Sequence, residues 1–291
     1  MANQDHLAIL NQGVRAWNRW RKTKKHVKPD LSGASIVNKA FSYLNLSGVD
    51  LSNADLRYGV FREVNFRGAD LSGANLSLCI IAASDFSGTR LVESDCSRAL
   101  FTSGLFKGAD LFRANLQTTT FAEGPTYRNK RLNRVNNFAA ASLVEADLRQ
   151  AKLEHVSFLN ADLCGTNFSG TDLQGVDFTA LQLCGANFCK ADLRDAKFRR
   201  SNLTGANLTF TLLINTNFEG AILKNCNVYG ASTWEVQLED ADQTDLVITP
   251  PDVPRITVDY LEVSQFIYLL LNNEKIRGIM THPRKTGPEK C

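Results

Sequence analysis

A hydrophobic residue recurs at every fifth position along most of the chain. One tract of this period runs from Leu31 to Phe121 and a second from Phe138 to Val228, each with 19 consecutive Leu, Phe or similar residues. A small residue commonly stands two positions earlier and Asp or Asn between them, as in Ala69-Asp70-Leu71. An α-helix repeats every 3.6 residues and a strand every 2. The period therefore predicts a chain that turns a corner every five residues, with one large and one small side chain pointing inward on each side.

Residue types also recur after four corners, that is, at every twentieth position. Like residues at this spacing would stack on successive coils at strand spacing, ~4.8 Å. The pattern therefore predicts a coil of four five-residue sides, stacked into a rod roughly 45 Å long. The columns expected to form the core are a Leu column in the first tract and a Phe column in the second: Leu31, Leu51, Leu71, Leu91, Leu111, Phe138, Phe158, Phe178, Phe198 and Phe218.

The period is interrupted once. Phe121 and Phe138 are 17 residues apart, which is one step of five plus 12 extra residues. If Phe138 continues the column of Phe66, Phe86 and Phe106, residues 123–135 form a loop inserted at one corner of a continuous rod. The loop is basic, and its Arg128, Lys130 and Arg131 are candidate partner contacts. A shortened, distorted coil is the alternative interpretation.

The two ends of the chain lack the five-residue period. Residues 1–28 carry an apolar face with spacings of three and four, from Leu7 to Trp20, which predicts an amphipathic helix. We expect it to cap the first coil, because an uncovered strand edge invites aggregation. Residues 234–291 contain a Pro-rich linker, and about Val258–Met280 is predicted to be a second helix.

The repeating unit of Ala, Asp or Asn, Leu or Phe and two variable residues resembles the pentapeptide-repeat family, over about residues 31–233. That resemblance implies an all-β solenoid, a right-handed quadrilateral β-helix, with tracts at 29–122 and 136–233. Residues 256–275 are similar to the junction that precedes a TIR-like domain in larger bacterial members. The chain ends soon after, so we expect no such activity, and a sensor or adaptor that has lost that domain is one alternative function.

The charge of the chain bears on a second alternative. Some members of the family mimic DNA and bind topoisomerases such as gyrase, and these proteins are strongly acidic. Here residues 31–245 hold 20 Lys and Arg against 23 Asp and Glu, while the whole chain has a net charge of +3. This near balance argues against DNA mimicry, and we expect no direct nucleic-acid binding either.

No catalytic or metal-binding signature occurs in the sequence. The four His are scattered, and the seven Cys contain no CxxC pair. Cys79, Cys96 and Cys226 are predicted to be small core residues, and Cys164 and Cys184 to be two neighbouring free thiols. We therefore expect no enzyme, no cofactor and no metal. The apolar runs are too short to span a bilayer, so the expected protein is cytoplasmic without membrane insertion.

One outward position of the first tract is unexpectedly apolar. Val60, Ile80 and Leu100 precede the Phe41 column at 20-residue spacing, and Tyr58 and Leu78 stand two residues earlier. Contiguous exposed apolar side chains mark partner sites. The expected function is a non-enzymatic scaffold that binds a protein here, with a homodimer through these residues or the C-terminal helix as a further expectation. Coverage of the five residues by a terminal helix or the loop is the alternative.

Overall fold

The computed structural model is a four-sided β-solenoid with helices at both ends. It describes residues 1–123, 135–153, 156–250 and 253–272. The loop residues Arg128, Lys130 and Arg131 lie outside this set, as does His155. The helices are α1 (Gln4–Asn11), α2 (Val14–Thr23) and α3 (Leu261–Asn272). The strands are β1 (Ala40–Ser42), β2 (Val60–Arg62), β3 (Ile80–Ala82), β4 (Leu100–Thr102), β5 (Thr120–Ala122), β6 (Asn136–Asn137), β7 (Lys152–Leu153), β8 (Val156–Ser157), β9 (Leu212–Ile214), β10 (Ser232–Trp234), β11 (Leu246–Val247) and β12 (Thr257–Val258).

Successive coils pair in parallel at the interval predicted from the sequence. Phe41 pairs with Phe61, Phe61 with Ile81 and Ile81 with Phe101, so β1 to β5 and β7 form one six-stranded sheet on one side of the rod. Isolated bridges such as Asp30 to Asp50 repeat the same register on the other sides. The four-sided coil predicted from the sequence is therefore confirmed.

The core is the stack of inward side chains along the rod axis. All ten residues of the predicted Leu and Phe columns are at most 2% exposed. Phe178 lies between Phe158 and Phe198, with ring centroids 5.9 and 5.0 Å away and nearly parallel planes. Cys79, Cys96 and Cys226 are buried as well, in agreement with their prediction as core residues.

Each corner is closed by short-range hydrogen bonds that the repeat sequence supplies. The Asp50 carboxylate accepts the backbone N–H of Ser52 at 3.0 Å, and the N–H of Ala54 donates to the carbonyl of Leu51 at 3.0 Å. Asp and Asn form such turns readily because their side chains reach the backbone two residues on. The outward Asp and Asn of the repeat are therefore turn residues.

The rod continues across the insertion. Phe138 stacks on Phe106 with ring centroids 4.4 Å apart, as predicted, and Asp110 bridges to Ser142 in the coil that follows. The buried Asn136 holds the junction: its Oδ1 accepts the N–H of Gly104 at 2.9 Å, and its Nδ2 donates to the carbonyl of Ala122 at 3.1 Å. The coil around the insertion therefore keeps four full sides.

The N-terminal segment forms two helices, where one helix over residues 1–28 was expected. Gly13 separates α1 from α2 with a φ of 100°, which lies outside the helical region and favours glycine. The bend lets α1 and α2 reach different sides of the first coil. The N–H of Asn3 donates to the carbonyl of Asp30 at 3.1 Å, while the Trp17 indole N–H donates to the carbonyl of Asn45 at 2.7 Å. Both helices thus cap backbone groups of the first coil.

The repeat extends past residue 233, where the sequence predicted its end. Asn217 bridges to Gln237 and Asn227 to Val247, each one coil further along the rod. Thr233 takes an inward position that Leu or Phe occupies elsewhere. The repeat was not recognised beyond this residue because the five-residue pattern of Leu and Phe stops there. β11 then pairs with β12 in antiparallel fashion, and α3 starts at Leu261, later than the predicted Val258.

No described helix is long and apolar enough to cross a membrane.

The ladder between coils opens at one place. Among the described residues, no backbone hydrogen bond joins 150–160 to 169–181, although the neighbouring coils are bonded along the same two sides. A groove lined by Ala151, Lys152, Leu153, Asp172, Gln174 and Val176 lies at this opening. The rings of Phe158 and Phe178 are also farther apart, at 5.9 Å, than those of Phe178 and Phe198, at 5.0 Å.

Candidate partner-binding surface

The five apolar residues singled out in the sequence lie together on the outside of the rod. We call Tyr58, Val60, Leu78, Ile80 and Leu100 the apolar stripe. Val60 pairs with Ile80 and Ile80 with Leu100, so their side chains follow one another along the rod on β2, β3 and β4. Tyr58 is 52% and Ile80 46% exposed, and Val60 and Leu100 are half-buried. The strand register therefore makes one continuous surface from residues far apart in sequence.

The described helices lie away from the apolar stripe. Asn18 and Trp17 of α2 bond to the backbone of Tyr43 and Asn45, at the first coil. α3 contacts β10 and β12, at the opposite end of the rod. Coverage by a terminal helix, one form of the alternative to a partner site, is therefore not what the described residues show, and the other form, coverage by the inserted loop, falls on residues outside the described set.

Two members of the apolar stripe stand at strained corners. Tyr58 has a φ of 60° and Leu78 a φ of 61°, in the left-handed region that glycine and asparagine occupy most readily. A bulky residue in this region costs of order 1 kcal/mol or more. Both side chains are exposed at their corners, and the same positive φ recurs at the equivalent corner of the next coil, at Arg98.

Two ion pairs lie on the sides of the rod that adjoin the apolar stripe. Arg57 binds Asp55 at 2.7 Å, and Arg67 binds Asp85 at 3.2 Å. The hydrogen bond from Arg57 lowers the pKa of the Asp55 carboxyl, with burial acting in the opposite direction. An apolar centre with a hydrated polar rim is the usual anatomy of a protein–protein interface.

A second apolar surface lies on the same side of the rod, near its C-terminal end. Leu212, Ile214 and Trp234 are 39%, 37% and 62% exposed, and Ile214 pairs with Trp234 in the β9–β10 ladder. Charged positions, including the Asp192–Arg194 ion pair at 2.6 Å, separate it from the apolar stripe. Sequence reasoning missed Trp234 because it ended the rod at residue 233. The 20-residue spacing from Ile214 was the signal that could have found it.

The described His and Cys residues serve structural roles. No group of three or more His, Cys, Asp or Glu stands in a metal-binding arrangement among them. The Nδ1 atom of His6 accepts the N–H of Asp30 at 3.1 Å, which is a capping contact. Burial raises the pKa of the Cys79, Cys96 and Cys226 thiols to about 12, so these thiols are poor nucleophiles.

The expectation of two free thiols at Cys164 and Cys184 is wrong. A disulfide joins them, with a Cα–Cα distance of 4.7 Å. The two residues occupy the same outward position on neighbouring coils, so the repeat itself brings their Cα atoms to a distance that a disulfide can span.

Family comparisons agree with the repeat architecture. A family model described as "Pentapeptide repeat region" matches residues 130–208, and one described as "Pentapeptide repeats (8 copies)" matches residues 45–81, 79–117 and 201–232. Together these matches cover more than half of the chain. No curated protein matches it significantly.

Solved structures with the same repeat also match. HetL, a pentapeptide repeat protein involved in heterocyst differentiation regulation from Nostoc sp. strain PCC 7120, is 27% identical, with coverage of 84% of this chain and 99% of HetL and a TM-score of 0.38. QnrB1, a plasmid-mediated fluoroquinolone resistance protein, is 18% identical, with coverage of 72% and 89% and a TM-score of 0.34. A pentapeptide repeat protein from the Arabidopsis thaliana thylakoid lumen is 25% identical, with coverage of 38% and 70% and a TM-score of 0.27. Because these TM-scores are low, the family assignment rests on the repeat models.

Proposed function

The chain belongs to the pentapeptide-repeat family, and from this premise we propose that it is a non-enzymatic scaffold that binds a partner protein through the apolar stripe. The observation that supports this most is the register of Val60, Ile80 and Leu100, which are aligned on β2, β3 and β4. The core does not require apolar residues at these outward positions, since Lys152 and Asp192 occupy equivalent ones farther along the rod.

Burial of the apolar stripe would supply useful binding energy. Full burial of a Leu, Ile or Val side chain contributes about 1.5–3 kcal/mol. Tyr58, Leu78 and Ile80 are 52%, 38% and 46% exposed, so each would contribute on the order of 1 kcal/mol on contact. A contact of this size needs additional polar interactions at the rim for stable binding, and the Arg57–Asp55 pair, which adjoins Tyr58, is placed to provide them.

The spacing of the apolar stripe suits an amphipathic helix that runs along the rod. Coils follow one another at about 4.8 Å, and a helix rises 5.4 Å per turn. A partner helix with one apolar residue per turn would therefore place successive side chains opposite Val60, Ile80 and Leu100 over three coils. We take such a helix as the partner's contacting element.

The test is a double substitution in the apolar stripe, Ile80→Asp together with Leu100→Asp. A carboxylate at either position stays hydrated in the free protein but is buried unpaired in a complex, which is strongly unfavourable. We expect loss of the co-purifying partner from the native host with an unchanged melting midpoint. The matched control is Ser87→Asp with Lys107→Asp, on the same two coils but the next side, which should retain the partner.

Other outcomes contradict the proposal in identifiable ways. Retention of the partner by the double variant would show that the apolar stripe is not the contact. Loss of stability would show that these side chains are covered within the monomer. Light scattering on the same samples identifies a second copy of the chain as the occupant if a wild-type dimer becomes a monomer in the double variant.

DNA mimicry fits the charge of the rod poorly. Duplex DNA carries one negative charge per ~1.7 Å of axis. A rod of ~45 Å would therefore need roughly 26 net negative charges to match the charge density of DNA. The 20 Lys and Arg and 23 Asp and Glu of residues 31–245 leave a net charge of only −3. A gyrase supercoiling assay tests the alternative: we expect no inhibition at stoichiometric protein, and inhibition would favour DNA mimicry over the scaffold.

A further inference from the structure

The disulfide between Cys164 and Cys184 lies on the outside of the rod. Each cysteine directly follows an inward leucine, Leu163 or Leu183, and precedes a corner glycine. Both residues are half-buried, whereas Cys79, Cys96 and Cys226 are buried. The disulfide joins two neighbouring coils and lies in the second tract, whereas the apolar stripe lies in the first.

Backbone hydrogen bonds hold these two coils together on both sides of the disulfide. The N–H of Leu163 donates to the carbonyl of Gln182 at 2.9 Å, and the N–H of Gly165 donates to the carbonyl of Cys184 at 2.8 Å. One coil further along, the N–H of Leu183 donates to Asn202 at 2.8 Å and that of Gly185 to Thr204 at 2.9 Å, with no disulfide present. The register of the coils therefore does not depend on the S–S bond.

We propose that Cys164 and Cys184 form a reversible redox pair, a surface site for thiol–disulfide exchange with low-molecular-weight thiols and disulfides. In the forward step, one monothiol attacks the protein disulfide and forms a mixed disulfide, which releases one protein thiol. A second monothiol then displaces the other protein thiol from the mixed disulfide. Two monothiols become one small-molecule disulfide, and the protein gains two hydrogens as two thiols. The rod keeps the reduced thiols adjacent, so the reverse reaction proceeds through the same intermediate.

The other described thiols differ from this pair. Cys79, Cys96 and Cys226 are buried and face the core, so small disulfides do not reach them in the folded rod. Cys189 is half-buried, but Ser169 and Thr209 occupy its position on the neighbouring coils. It has no stacked thiol partner among the described residues and can form only a mixed disulfide. Cys189 therefore serves as an internal single-thiol reference.

The experiment is an equilibrium titration of the full chain in glutathione buffers of graded reduced-to-oxidised ratio. Samples are quenched with acid, and free thiols are then labelled with a maleimide in denaturant and assigned by peptide mass spectrometry. We expect Cys164 and Cys184 to gain label together, in one two-electron transition, while the circular dichroism of the rod stays constant. The Cys189→Ser variant should show the same transition.

Two single variants separate this site from a merely structural disulfide. Cys164→Ser and Cys184→Ser each leave one thiol of the pair, and each should accumulate a glutathione mixed disulfide at the remaining cysteine while the two-electron transition is lost. The proposal is overturned if the wild-type disulfide resists reduced glutathione until denaturant unfolds the rod. It is equally overturned if both thiols remain fully labelled in the most oxidising buffer.

Discussion

Phe106 and Phe138 lie face to face, with ring centroids 4.4 Å apart and planes within 4°, although 32 residues separate them in a rod that repeats every 20. The core column therefore continues across the 12 extra residues of sequence. Asn136 closes the junction by bonding to Gly104 and Ala122. The coil that contains the insertion is continuous with those on either side of it.

Deletion of residues 124–135 should leave the rod folded. The deletion places Phe121 and Phe138 five residues apart, which restores the repeat and keeps Asn136. We expect the far-UV circular dichroism to be unchanged and the melting midpoint to stay within a few degrees of wild type. A matched deletion of equal length elsewhere, 179–190, removes inward Leu183 and Phe188 and breaks the register between coils, so it should unfold the rod. Equal damage by both deletions would contradict a continuous core.

Phe178→Ala should be severely destabilising. Phe178 is fully buried and has Phe158 and Phe198 stacked on its two faces. Large-to-small changes of a buried Phe cost about 3–5 kcal/mol. Urea unfolding measures the change in free energy, and Thr179→Ala, at the next exposed position, is the control and should be within about 0.5 kcal/mol of wild type. Equal midpoints for the two variants would mean that the inward column is misassigned.

The opened ladder predicts a local difference in hydrogen exchange. The N–H groups of Leu153 and Phe158 face the unbonded stretch, whereas that of Phe178 donates to the carbonyl of Lys197 at 2.7 Å and that of Phe198 to Asn217 at 2.7 Å. Amides with weak local bonding open at lower free energy. We expect the first two amides to exchange at least tenfold faster than the second two, as measured by NMR. Uniform protection along the column would show that the coils are bonded throughout.

The repeat was predictable because every unit satisfies the same physical demand. A large inward residue such as Phe178, a small residue two positions earlier and an Asx turn at the corner recur in most sides, so a departure at one unit does not alter the register. The ends follow no such rule. Gly13 breaks the N-terminal helix, and Thr233 interrupts the inward Leu and Phe before the last coil. Neither residue follows from the five-residue spacing.

Acid should weaken the rod through its Asp-x-Arg pairs. The hydrogen bond from Arg194 lowers the pKa of Asp192, with burial opposing it, and Arg57 acts in the same way on Asp55. A carboxyl whose pKa is lower in the folded protein than in the unfolded chain stabilises the fold at pH values above its unfolded pKa, about 3.9. This stabilisation is lost as the pH falls through the pKa of the folded protein. Unfolding free energy should therefore be flat from about pH 7 to 5 and fall below about pH 4.

Asp192→Asn isolates the contribution of one pair. The amide oxygen can still accept the N–H of Arg194, which Asp192 binds at 3.2 Å, but the ion pair is gone. Because the ion pair is partly exposed, the loss at pH 7 should be below about 1 kcal/mol. The difference from wild type should vanish at pH 2 in urea unfolding. A difference that persists unchanged at pH 2 would mean that the substitution acts through packing.

The apolar stripe could be located from sequence because it follows the same 20-residue spacing as the core. Its exposure could not be predicted from sequence, because coverage by a helix depends on where the helices dock. α2 is held at the first coil by Trp17 and Asn18, and α3 at the last by Gln265, which bonds to Thr233. The disulfide was missed for a related reason: the stacking of Cys164 on Cys184 was read correctly, but the oxidation state does not follow from position.

The most direct test of the scaffold proposal is site-specific photocrosslinking in the native host. A benzophenone amino acid at Ile80 reports what contacts the apolar stripe, and the same amino acid at Lys107, on a neighbouring coil and the next side, is the reference. We predict one discrete crosslinked protein at Ile80 that is absent at Lys107 and is lost when Leu100→Asp is added. The same adducts at both positions, or none at Ile80 in cells that express the folded rod, would contradict a partner site at the apolar stripe.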